Sequence, residues 1–112
     1  MKKTETLKKN YEFKNVLTRG KFYRGKYINI YVLKNKRQKN NIGIAVSKKV
    51  AGAVKRNRIK RVIRESYAKQ EEKIKDFCDI VIIWKKEAGS KEARYANVSS
   101  DMEGILKRAG LI

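Results

Sequence analysis

Histidine is absent from this chain of 112 residues, and so is proline. Without histidine there is no imidazole acid–base pair and no Cys/His metal site. The single cysteine, Cys78, cannot close an internal disulfide. It opens the apolar run from Cys78 to Trp84, so a buried, inert thiol is expected. No stretch approaches the ~18 apolar residues of a transmembrane helix. The basic start, Met1-Lys-Lys-Thr-Glu-Thr, has no apolar segment behind it, which argues against a secretory signal. Gly43, Gly52 and Gly104 are isolated and form neither a P-loop nor a dinucleotide fingerprint. Residues 1–112 read as one cytoplasmic, disulfide-free domain.

The most consequential absence is acid. From Phe13 to Arg64 there is no Asp or Glu, while these 52 residues hold 17 Lys and Arg. Residues 65–112 carry nine bases and nine acids, and the whole chain has a net charge of +19. Such a field repels itself and calls for a polyanion. Clustered bases and a pI near 10.2 are the footprint of nucleic-acid binding. An anionic membrane is the competing polyanion, but no long amphipathic helix with a bulky aromatic face is present, so no membrane partner is expected. The acid-free block also cannot furnish the carboxylates of a two-metal nuclease centre.

The remaining patterns predict an α+β fold with one sheet of about four strands and three helices, in the order α-β-β-β-α-β-α. A first helix starts near Asn10, its apolar face formed by Phe13, Val16 and Leu17, and ends at Gly20. Phe22 and Tyr23 suit a short strand. Residues 27–33 alternate, with Ile28, Ile30 and Val32 opposed to Tyr27, Asn29 and Tyr31. Residues 42–47 alternate too, with Gly43, Ala45 and Ser47 forming a side of small residues. The polar segment 34–41 between these runs reads as an exposed hairpin loop. A helix follows from about Ala51 to the region of Lys73, then a strand, 79–84, apolar on both faces. A last helix opens at Ser90, with Tyr95, Val98, Met102, Ile105, Leu106 and Ala109 toward the core.

Eight bases crowd into the 17 residues from Lys48 to Arg64. On a helical wheel Ile59, Val62, Ile63 and Tyr67 share an apolar arc. Asn57, Lys60, Arg61 and Arg64 fall opposite, flanked by Lys55, Arg56 and Arg58. Like charges on successive turns oppose helix formation, and no acid offsets them before Glu65. A merely solvated face would mix signs. Arginine can grip phosphate oxygens bidentately where lysine acts as a point charge. Asn57 can both donate to and accept from a base edge or a 2′-hydroxyl, or make an ordinary backbone or solvent contact.

A second surface is aromatic and small. If the strand bearing Tyr27, Asn29 and Tyr31 lies beside the one bearing Gly43, Ala45 and Ser47, rings wall a shallow trough floored by backbone. Aromatic platforms with a cationic rim bind single-stranded RNA. Phe13 and Leu17 would line the trough if the first helix borders it; the alternative for Phe13 is a core position.

The segment Ala53-Val-Lys-Arg-Asn-Arg-Ile-Lys-Arg-Val-Ile-Arg64 resembles the RNR signature of bacterial ribonuclease P proteins. Leu7-Lys-Lys-Asn-Tyr-Glu-Phe13 resembles that family's opening helix, Val46-Ser-Lys-Lys49 its run into the RNR helix, and Asp79-Ile-Val-Ile-Ile83 its last strand. The resemblance implies the same element order with a left-handed crossover, against the usual hand. It implies a protein that binds a catalytic RNA, the two together removing the 5′ leader of precursor tRNA. The RNA would make the cut and hold the magnesium ions (Mg2+), with none bound by the protein alone and no protein partner required. Arg56, Asn57, Arg58, Lys60, Arg61 and Arg64, with Lys48 and Lys49, match positions associated with the catalytic RNA. Phe13, Leu17 and Tyr31 match the cleft that takes the leader. Leu17 is a departure, because an aromatic often stands there. A structural RNA-binding protein, such as a ribosomal protein or assembly factor, is the alternative that composition alone leaves open.

Overall fold

The computed structural model describes residues 4–75 and 77–112; residues 1–3 of the basic start lie outside them. The elements are β1 (Thr4–Thr6), α1 (Asn10–Arg19), β2 (Lys21–Arg24), β3 (Ile28–Lys34), β4 (Asn40–Ala45), α2 (Ala53–Gln70), β5 (Cys78–Trp84) and α3 (Tyr95–Arg108). Short 3₁₀ turns follow α2 at Glu71–Lys73 and precede α3 at Ser90–Glu92. The five strands form one mixed sheet in the order β1-β4-β5-β3-β2.

β5 takes the centre because both its faces are apolar. Its Cys78, Ile80, Ile82 and Trp84 join a core with Ile28 and Ile30 of β3, Ile59, Ile63 and Tyr67 of α2, and Val98, Met102, Ile105 and Leu106 of α3. Each large side chain so buried contributes about 1.5–3 kcal/mol of transfer free energy. Val81 points to the other face and is buried there, as is Val16 of α1. The sheet is thus covered by α2 and α3 on one face and, in part, by α1 on the other.

The central placement of β5 corrects the expected hairpin. β3 and β4 are not neighbours: β5 lies between them, antiparallel to β3 and parallel to β4. Two parallel adjacent strands require a crossover, and α2 supplies it. The 35–39 segment is a bridge over the end of β5. Asp79 holds it, accepting from Asn35 Nδ2 at 2.8 Å, Asn41 Nδ2 at 2.9 Å and Arg37 Nη2 at 3.0 Å.

Three boundaries also differ from expectation. β1 adds a fifth strand, a three-residue segment paired in parallel with β4. Lys9 rather than Asn10 caps α1, with its N–H donating to the Glu12 carboxylate at 3.2 Å. α3 begins at Tyr95, and Tyr95 is 39% exposed, with Lys69 Nζ lying 5.7 Å from its ring centroid.

Candidate nucleic-acid interface

α2 is held to the core by its apolar arc. Ile59, Ile63, Ser66, Tyr67 and Gln70 are buried. The Tyr67 hydroxyl bonds Thr4 Oγ1 of β1 at 2.9 Å, which pins the helix to the sheet edge. Burial pushes the Tyr67 phenol up to about 12, against the opposing effect of that hydrogen bond. No carboxylate sits in the first turn of α2, and its N-cap, Gly52, has no side-chain capping bond. Lys55, Asn57, Arg58, Arg61 and Arg64 are exposed; Arg56 and Lys60 are half-buried. Arg56 Nη1 donates to the Ala51 carbonyl at 2.9 Å, tying the first turn to the preceding loop. In that loop Lys48 and Lys49 are exposed, and Ser47 Oγ accepts from the Lys49 N–H at 3.1 Å.

Arg37 and Lys39 of the β3–β4 bridge are neutralised from outside the acid-free block. Arg37 pairs with Asp79 at 3.0 Å and Glu12 at 3.6 Å. Lys39 pairs with Glu5, whose carboxyl is held below the usual range by that hydrogen bond and by the lysine charge. Among the described residues, no ion pair involves Lys48, Lys49, Lys55, Arg56, Arg58, Lys60, Arg61 or Arg64. Eight cations with no ion pair among the described residues thus stand together on α2 and the turn leading into it.

The trough lies on the sheet face that α1 half covers. Register fixes its rows. Gly43 of β4, Val81 of β5, Tyr31 of β3 and Phe22 of β2 are successive partners across four strands. Ala45, Ile83, Asn29 and Arg24 form the next row. Phe13 rests on Gly43 so closely that a Cβ there would come within 2.7 Å of its ring. Glu12 faces the Arg37–Asp79 side. Phe13 thus stands at the Gly43 end of the first row, and Leu17, one turn further along the same face of α1, is half-buried; the Ala45–Ile83–Asn29 row is only partly buried. At this end of the sheet the exposed cations Lys48 and Lys49 follow β4, and Lys86 follows β5.

Phe13, Asn29 and Tyr31 share this face, and Leu17 lies one turn beyond Phe13 on the helix that half covers it. Asn29 is partly committed, its Oδ1 accepting from the Gly25 N–H at 3.3 Å. Tyr27 does not join them. It precedes β3, and its ring stacks on Trp84 of the helix-covered face, centroids 6.3 Å apart and 15° between planes. Alternation fails there because Asp101 of α3 accepts from the N–H groups of Lys26, Tyr27 and Ile28 at 2.9–3.1 Å, turning the strand entry toward α3. Sequence reasoning missed Ile83, which enters the floor only because β5 separates β3 from β4. It also missed Phe22, whose place opposite Tyr31 depends on a register that no single strand reveals. Among the described residues, no three His, Cys, Asp or Glu side chains come together as a metal site, and no helix is long and apolar enough to cross a membrane.

Fold and surface define a small α+β protein with one unpartnered cationic helix beside a partly open sheet face. A profile of the Ribonuclease P family matches residues 1–110. The chain is 40% identical over 110 residues to the ribonuclease P protein component of Clostridioides difficile strain 630, covering 97% of this chain and 95% of that one. It is 41% identical over 113 residues to the component from Clostridium novyi strain NT, covering 99% and 98%. Among solved structures, the RNase P protein of Staphylococcus aureus superposes with a TM-score of 0.82 at 31% identity, covering 95% of both chains. That of Thermotoga maritima gives 0.82 at 29%, covering 93% and 96%. The chain belongs to the ribonuclease P protein family.

Proposed function

We propose that this protein binds the RNA of ribonuclease P through α2 and the Lys48–Lys49 turn, and holds the 5′ leader of precursor tRNA in the trough beside α1. The single observation that carries this reading is the uncompensated cation surface of α2. Its helical scaffold is neutral on the buried side, and its charge awaits phosphates. Bases on α2 lower phosphate repulsion as the RNA docks. The trough then takes unpaired nucleotides, so precursor binds better than mature tRNA, and substrate is favoured over product. In this reading the RNA cuts the phosphodiester and holds the magnesium ions, the protein binds none alone, and no further protein is required. The particle works in the cytoplasm.

The test is precursor tRNA at low magnesium with protein alone, RNA alone, and both. Cleavage is expected with the RNA and stimulated by the protein. Cleavage by protein alone would overturn the assignment of chemistry to RNA. No stimulation would favour a structural RNA-binding role instead.

A further inference from the structure

We infer that Phe22 is a second stacking platform in this protein, holding a leader nucleotide beyond the one at Tyr31. The inference rests on the leader reading of the trough and extends that site to the outer edge of the sheet. Phe22 is 46% exposed although it is a large apolar side chain in a strand. Its ring centroid lies 5.1 Å from that of Tyr31, with 54° between the planes. The pair is locked by register, since Phe22 and Tyr31 are direct cross-strand partners. A tilted pair offers two differently inclined faces, and each can take a base.

The surroundings suit RNA. β2 is an edge strand, so nothing continues the sheet beyond Phe22. Arg24, two residues on and on the same face, is exposed, as is Arg19 at the end of α1. The Gly43–Val81–Tyr31–Phe22 row spans three strand spacings, about 14 Å from end to end. Phe13 stands at one end of it and Phe22 at the other. An extended strand lying along the neighbouring Ala45–Ile83–Asn29–Arg24 row passes the Phe13 end first, then Tyr31, then Phe22. Leu17 offers only apolar contact, so the aromatic surface of this trough is weighted toward its outer end. The occupant is an unpaired nucleotide. Stacking is sequence-tolerant because every base has a π-face, and the phosphates on either side meet arginine.

The test uses holoenzyme reconstituted with ribonuclease P RNA, and precursors whose leaders lengthen one nucleotide at a time. Mature tRNA is the reference, and the variants are Phe22→Leu, Phe22→Ala and Phe22→Trp. Wild-type affinity is expected to rise with leader length. Phe22→Leu and Phe22→Ala should lose the last step of that rise, about five- to tenfold, the lower part of what a stacked base contributes. Phe22→Trp should keep it. Leucine retains apolar bulk against Tyr31 but has no π-face, so it separates stacking from packing. Wild-type behaviour of Phe22→Leu at every length would overturn the inference. So would a loss of equal size for mature tRNA, which marks a structural role. If Tyr31→Ala still removes leader dependence in those cases, the trough reading survives without Phe22. Wild-type affinity independent of leader length would overturn both.

Discussion

Gly43 stands where α1 packs on the sheet, and its missing side chain leaves room for the Phe13 ring at the head of the trough. In Gly43→Ala the added carbon would sit 2.7–2.8 Å from two Phe13 ring atoms and 3.2 Å from Leu7. Real Cβ atoms do not tolerate such contacts, so Phe13 or the helix must shift. Overpacking of this kind costs about 1–3 kcal/mol. Urea unfolding of Gly43→Ala should show the unfolding free energy lowered by that amount, read as a lower midpoint at unchanged slope, and leader affinity should fall with it. An unchanged midpoint would show that α1 floats freely over the sheet. Gly25 plays the same part at the β2–β3 turn, where a Cβ would come within 2.3 Å of the Ile28 carbonyl oxygen and 2.6 Å of the Asp101 carboxylate. Neither requirement concerns a left-handed backbone; both are close approaches, which a sequence cannot show.

At the scale of elements, periodicity carries far where one face decides burial. The alternation of 28–33 and 42–45, the doubly apolar 79–84 run and the two-faced wheel of α2 match the folded elements, while Tyr27 and Ser47 fall outside the strands. What remained hidden depended on neighbours. β1 is Thr-Glu-Thr, with no apolar pattern; it is a strand because β4 offers it an edge and Tyr67 a hydrogen bond. The insertion of β5 between β3 and β4 is a fact of pairing, not of either strand. α3 starts five residues later than expected because Ala93 and Arg94 leave helical geometry after the 3₁₀ turn. The charge of α2 is legible in the sequence, since charge needs no partner to be read, but the half-burial of Arg56 and Lys60 and the Arg56 bond to Ala51 are not. Its contribution is testable residue by residue. Arg61 is exposed and opposite the buried arc, so Arg61→Ala should leave stability within about 0.5 kcal/mol. It should weaken RNA binding and make the log-affinity against log-salt line shallower by roughly one unit, as for one lost phosphate contact. An unchanged slope would remove Arg61 from the phosphate contacts.

Over the whole molecule, charge and stability are kept apart. The core of isoleucines, Tyr67 and Trp84 holds α2 and α3 on one face of the sheet, while the uncompensated cations point away from it. A strongly displaced titration belongs to that core. The Tyr67 phenol is raised from 10.0 to about 12, chiefly by burial. The folded protein therefore holds this proton more tightly than the unfolded chain. The resulting stabilisation is complete below pH 10 and is lost as pH rises toward 12, up to about 2–3 kcal/mol. Tyr67→Phe should flatten that part of the stability–pH curve, measured by denaturant unfolding between pH 9 and 12. A curve of unchanged steepness would show that Tyr67 titrates as in the unfolded chain.

The division of labour between helix and trough is most directly tested by the ratio of precursor to mature tRNA affinity, measured for the RNA alone, for the RNA with wild-type protein, and for the RNA with Tyr31→Ala. The protein should raise the ratio, and Tyr31→Ala should return about five- to tenfold of that gain through weaker precursor binding. A ratio that the protein leaves unchanged, or a Tyr31→Ala loss equal for both tRNAs, would contradict the account.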